Sequence, residues 1–119
     1  MDIEGHEIEV FDSLITFSKN INNYLPKKII FETHFGIYKK KKESVKEIFN
    51  KIFNIGYKIK YFSSSNEPRK ALKDRGYNPF NIIKDFPFHR GIYKNVNDQD
   101  FIYFITDTGG IRTVLLELK

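Results

Sequence analysis

The opening residues Met1-Asp2-Ile3-Glu4-Gly5-His6-Glu7 bring acids, an imidazole and a glycine into one heptapeptide. In an extended segment Asp2 and Glu4 point to the same side. Gly5 permits a sharp turn into a helix, and Glu7 in the first helical turn suits the dipole. A second pair, Glu32 and His34, is spaced i and i+2 near the end of an expected strand. Brought together, Asp2, Glu4, Glu32, His6 and His34 could orient or deprotonate a hydroxyl, with imidazole as the natural base. The same oxygen and nitrogen donors could hold a hard metal ion, as in a hydrolase-like module. Acids at helix N-termini also serve as caps, so the case for chemistry rests on the clustering.

Other charged groups are less constrained. Lys39 to Lys42 form a run before an expected helix, where cations oppose the dipole, and read as a solvated loop. Arg69, His89 and Arg90 lie in a long connection and could meet an anionic group, with nothing local to position them. Asp107-Thr108-Gly109-Gly110 reads as a turn, because it precedes a strand-like run and not a helix. The chain contains no glycine-rich dinucleotide fingerprint, phosphate-binding loop, nucleophile elbow or zinc-protease motif.

The elements expected to carry these groups follow from periodicity. Residues 7–23 read as a helix with a wide apolar sector, Ile8, Phe11 and Ile15 on one side and Val10, Leu14, Phe17 and Ile21 on another. Residues 28–35 read as a strand that turns polar toward its C-terminal end, as a buried parallel strand opening on a site would. Residues 43–55 read as a helix stopped by Gly56, and 57–62 as a strand, which completes a βαβ unit. Pro68 opens a short helix closed by Gly76, within a long irregular stretch ending near Asp100. Phe101–Thr106 and Arg112–Leu118 read as the arms of a C-terminal antiparallel hairpin.

The 119 residues suffice for one domain and one core, without an internal repeat or a linker. Without cysteine there is no disulfide framework, thiolate nucleophile or zinc knuckle. No apolar run approaches the ~20 residues that span a bilayer, and the acidic start is unlike a secretory signal, which points to the cytoplasm. The formal charge of +5 permits an anionic partner without identifying one, and nucleic acid is not the expectation.

The opening stretch MDIEGHEIEVF resembles a signature of the FkbM-family S-adenosylmethionine-dependent methyltransferases, hydrophobic–Asp–hydrophobic–Glu–Gly–His/Ala–Glu at the end of strand four. Ile30-Phe31-Glu32-Thr33-His34 is similar to the family's next strand, and Phe53-Asn54-Ile55-Gly56-Tyr57 to the helix that closes on Gly-Tyr. The resemblance covers residues 1 to about 62. It implies an α/β fold, the C-terminal portion of a Rossmann-like class I methyltransferase sheet, with the N-terminal cofactor half absent. It also implies O-methyl transfer in the intact enzyme, to a small-molecule or glycan acceptor. Asp2, Glu4 and His6 would then lie beside the cofactor, and Asp2, Glu4, Glu32 and His34 would act at the acceptor. On this reading the abrupt start is a cut through a sheet, which leaves the strand at 28–35 with an open edge. The isolated chain then binds S-adenosylmethionine weakly or not at all, and a companion chain is the natural source of the other half. A basic module that pairs with a partner through that edge is the non-enzymatic alternative.

Overall fold

The computed structural model describes residues 7–20, 25–85 and 87–119. In chain order the elements are α1 (Glu7–Asn20), β1 (Lys28–Glu32), α2 (Phe35–Lys40), α3 (Lys42–Ile55), β2 (Tyr57–Ser64), α4 (Lys70–Asp74), β3 (Asn81–Asp85), β4 (Phe88–Tyr93), α5 (Asp98–Tyr103) and β5 (Ile111–Leu118). A π-helical turn, Phe104–Thr108, continues α5.

The five strands form one sheet in the order β1-β5-β2-β4-β3, and every neighbouring pair is antiparallel. The parallel pairing expected of 28–35 in a βαβ unit is not formed among the described residues. Strands β1 and β2 point the same way and are connected through α2 and α3, but β5 is inserted between them.

Helix α3 forms where periodicity places it. Val45, Phe49, Ile52 and Phe53 are buried on one stripe, and Gly56, at φ 127°, ends the helix in a conformation that disfavours other residues. The Phe49 ring touches Phe11 of α1 at 5.4 Å, Phe31 of β1 at 5.9 Å and Phe101 of α5 at 5.7 Å. One aromatic cluster therefore joins three helices to the sheet. In α1 the buried stripe is Ile8, Phe11 and Ile15, while Val10 is exposed, so burial is narrower than the sequence suggests.

Three expectations are corrected. Phe101–Thr106 is not a hairpin arm; it belongs to α5 and its π-helical extension, and the partners of β5 are β1 and β2. A short apolar run does not by itself separate strand from buried helix. Here the capping decides: the Asn97 side chain accepts a hydrogen bond from the Asp100 N–H at 2.7 Å, and Asp98 and Asp100 occupy the first turn. Phe101, Ile102, Phe104 and Ile105 are all buried, which requires cover on several sides and removes the periodic signal.

The strand at 28–35 ends at Glu32. Thr33 still donates its N–H to the Arg112 carbonyl at 2.8 Å, and His34 then caps α2. The lysine run is a helix–helix junction instead of a loop. Lys39 and Lys40 lie in the last turn of α2, where cations are favourable, and Lys42 opens α3 with its Nζ 2.6 Å from Asp107. That hydrogen bond raises the Lys42 pKa above the ordinary lysine value.

The irregular stretch after β2 contains α4 as expected, and also the hairpin β3–β4, which periodicity does not reveal. Arg75 and Tyr77 fasten the end of α4 to α5 through Asp100, at 2.7 and 2.6 Å. Among the described residues, β1 pairs only with β5, and no helix is long and apolar enough to cross a membrane.

Candidate functional site at the ends of β1 and β2

Because β1 and β2 run the same way, their C-terminal ends open on one end of the sheet, together with the start of β5. The geometry is held by backbone bonds between segments far apart in sequence. The Thr33 hydroxyl donates to the Ile111 carbonyl, and the Ser65 N–H donates to the Gly110 carbonyl at 2.8 Å. The Ser63 hydroxyl accepts the Thr113 N–H at 3.2 Å, and the buried Ser64 hydroxyl accepts the Gly91 N–H at 2.8 Å. Serines here occupy strand positions that side chains with only apolar atoms could not satisfy.

Gly110 shapes this end. Its φ is 103°, and a Cβ there would stand 2.8 Å from the Arg69 Cδ. Arg69 lies across the glycine and donates to the Asn66 side-chain oxygen. Gly91 permits another close approach, since a Cβ would meet the Glu67 carboxyl carbon and the Pro79 Cβ at 2.9 Å each.

Glu67, Lys73, Asn78, Ile82 and His89 line a cavity of about 520 Å³ next to this end. The Glu67 N–H donates to the His89 carbonyl at 2.6 Å, which ties the loop after β2 to β4. The Tyr93 hydroxyl donates to the Glu67 carboxylate at 2.8 Å and fixes its orientation. Arg90 secures the same loop by donating to the Ser65 carbonyl at 3.0 Å. A carboxylate, an imidazole and an amine on one cavity can bind a hydroxylated ligand and accept its proton.

Burial, followed by the hydrogen bond to Glu67, holds the Tyr93 hydroxyl well above the ordinary phenolic range. Its proton is therefore bound more tightly in the folded chain than in the unfolded one, whose tyrosine titrates near ~10. This contribution to stability is complete below that pH and is lost as pH rises toward the folded value. The melting temperature should fall above about pH 10, and Tyr93→Phe should flatten part of that fall. Tyr57 and Tyr77 are also raised by burial and carry the remainder. Melting curves of both proteins between neutral and strongly alkaline pH check this; parallel declines would deny Tyr93 the role.

Of the residues singled out in the sequence, Asp2, Glu4 and His6 lie outside the described residues. Glu32 and His34 have different neighbours. Phe31 points into the core, so Glu32 faces the opposite side of the sheet, where its carboxylate is 3.9 Å from the Arg112 Nε. His34 turns toward the buried Tyr38 ring, 6.5 Å between centroids. Among the described residues, no group of three or more histidines and acids is placed to hold a metal ion.

His89 and Arg69 do reach the polar end, as the sequence allowed. Glu67 was not anticipated. Its only local signal is the step from strand to Pro68, which marks a turn and says nothing of the cavity. Comparison with protein-family models, curated proteins and solved structures finds no match for this chain.

Proposed function

We propose that the chain forms the C-terminal, acceptor-side half of an S-adenosylmethionine-dependent methyltransferase resembling the FkbM family, with O-methyl transfer in the intact enzyme. The observation that carries this reading is the like-directed pair β1 and β2, connected through helices and opening on one polar end of the sheet. It supports the order of elements that the sequence resemblance implies.

The described residues do not by themselves fit the cofactor. They contain no glycine-rich turn between a strand and a helix, which is how such sheets cradle an adenosyl ligand. When bound, the cofactor would supply an electrophilic methyl group. The part left to this chain is the acceptor: the cavity binds its hydroxyl, Glu67 anchored by Tyr93 orients it, and His89 is the base within reach. Glu32 and His34, expected from the sequence to act at the acceptor, lie at and just beyond the end of β1.

Calorimetric titration tests the reading. The chain alone should show no S-adenosylmethionine binding tighter than about millimolar. Fusion to the cofactor half of an FkbM-type enzyme should restore affinity to the range of ordinary substrates, roughly 1 μM to 1 mM. Micromolar binding by the chain alone, or a folded fusion that does not bind, would overturn it. Stoichiometric divalent-metal binding lost on Glu32→Ala would favour the metal-dependent alternative.

A further inference from the structure

The sheet face opposite the helices presents an apolar strip with one residue from each strand: Ile30, Leu115, Tyr61, Ile92 and Ile83. Ile30 is 55% exposed, Ile83 48% and Tyr61 38%. Next to Tyr61 stands a second exposed ring, Phe80, 51% exposed and 5.7 Å away between centroids. Each ring has a cation beside it. Lys60 lies 5.8 Å from the Tyr61 centroid, and Lys94 lies 4.9 Å from that of Phe80. Tyr61 also borders an adjoining hollow lined by Lys58, Lys60, Lys94, Lys119 and Glu117. Glu117 is shared, at 3.3 Å from Lys60 and 4.0 Å from Lys28, and Asp98 lies 3.8 Å from Lys58, so even with both acids counted the cations outnumber them at this margin.

We propose that this face binds single-stranded nucleic acid, with bases stacking on Tyr61 and Phe80 and phosphates held by Lys60, Lys94 and Lys119. Strips of exposed rings on an open sheet, flanked by cations, suit bases because every base has a π-face and its phosphate carries the opposite charge. An acidic peptide would satisfy the lysines but offer nothing flat to the rings. The face is independent of the acceptor cavity, and Lys39 to Lys42 take no part in it. The lysines come from β2, the end of β4 and the chain terminus, so no run of sequence announces them.

The test is fluorescence anisotropy with a labelled oligouridylate of about 12 nucleotides. Binding with a dissociation constant of roughly 1–100 μM at low salt is expected, with a log–log salt slope near −2 for about three phosphates. Phe80→Ala and Tyr61→Ser should each weaken binding about tenfold, and Lys60→Gln with Lys94→Gln should reduce the salt slope. Both ring positions are surface sites, and unchanged melting curves will show that the variants fold. A control pair on α3, Lys46→Gln with Lys51→Gln, should leave binding within about twofold. The proposal fails if there is no binding, if duplex binds as well as single strand, if the ring variants bind normally, or if the control pair weakens binding equally. Displacement of the oligonucleotide by polyglutamate at equal charge would assign the face to an acidic polypeptide instead.

Discussion

Phe49→Ala is expected to remove about 3–5 kcal/mol of stability. The ring is fully buried and contacts Phe11, Phe31, Phe53 and Phe101, on three helices and a strand. Truncation therefore leaves a cavity whose walls belong to four different elements. Such walls cannot close together without moving α1 or α5 off α3, so little of the loss is recovered by relaxation. A domain of this size has only ~5–15 kcal/mol in total, so the variant should be largely unfolded at modest denaturant. Phe49→Leu fills most of the space and should lose no more than about 2 kcal/mol. Urea titration followed by far-ultraviolet circular dichroism measures both. If alanine costs less than about 1 kcal/mol, the cluster is not what couples the helices to the sheet.

Gly110→Ala should cost on the order of 3 kcal/mol, from two separable causes. At φ 103° an L-residue is strained, which costs roughly 1–3 kcal/mol wherever it occurs. The new methyl group also stands 2.8 Å from the Arg69 Cδ and 3.0 Å from its Nε. Arginine is flexible, but this one is held to Asn66, so its retreat gives up that bond. A double-mutant cycle with Arg69→Ala divides the cost. If strain dominates, the two losses add; if the clash dominates, Arg69→Ala restores part of the stability lost to the glycine change. A Gly110→Ala protein as stable as the parent would contradict both causes.

The sequence made α3, β1 and β2 legible because each carries its own evidence. Val45, Phe49 and Ile52 repeat at the helical period, Gly56 stops the helix, and Ile29 and Phe31 alternate with Ile30 and Glu32. Such signals report one element against an unspecified core, and they were read correctly apart from the ends. At Phe35 and at Phe101 they failed for the same reason. Both segments are apolar enough to be strands; at Phe101 the deciding contribution is polar and local, the side-chain cap at Asn97, while at Phe35 the backbone turns into α2 at His34 without a side-chain cap. Capping is worth about 1 kcal/mol, enough to choose between two elements that would bury similar area.

The candidate site was less legible. Glu32 and His34 are two residues apart and look like strand partners, yet the strand ends at Glu32 and His34 is the N-cap of α2. Glu67 and His89 are far apart in sequence and meet because β2 and β4 are neighbours in the sheet. Strand neighbours are set by long-range burial and hydrogen-bond completion, for which the hydrophobic pattern of either strand is no guide.

By itself, then, the sequence determined that this is an α/β chain without disulfides, with helices expected at 7–23 and 43–55 and strands at 28–35 and 57–62, since local period, turn chemistry and composition suffice to place those elements to within a few residues. Only the tertiary structure decided that β5 enters between β1 and β2, that Glu67 and His89 share a cavity, and that lysines from three segments gather beside Tyr61 and Phe80. Each of these depends on which surfaces are buried against one another across the whole sheet. That choice is made by the summed burial of distant segments and leaves no mark in any one of them.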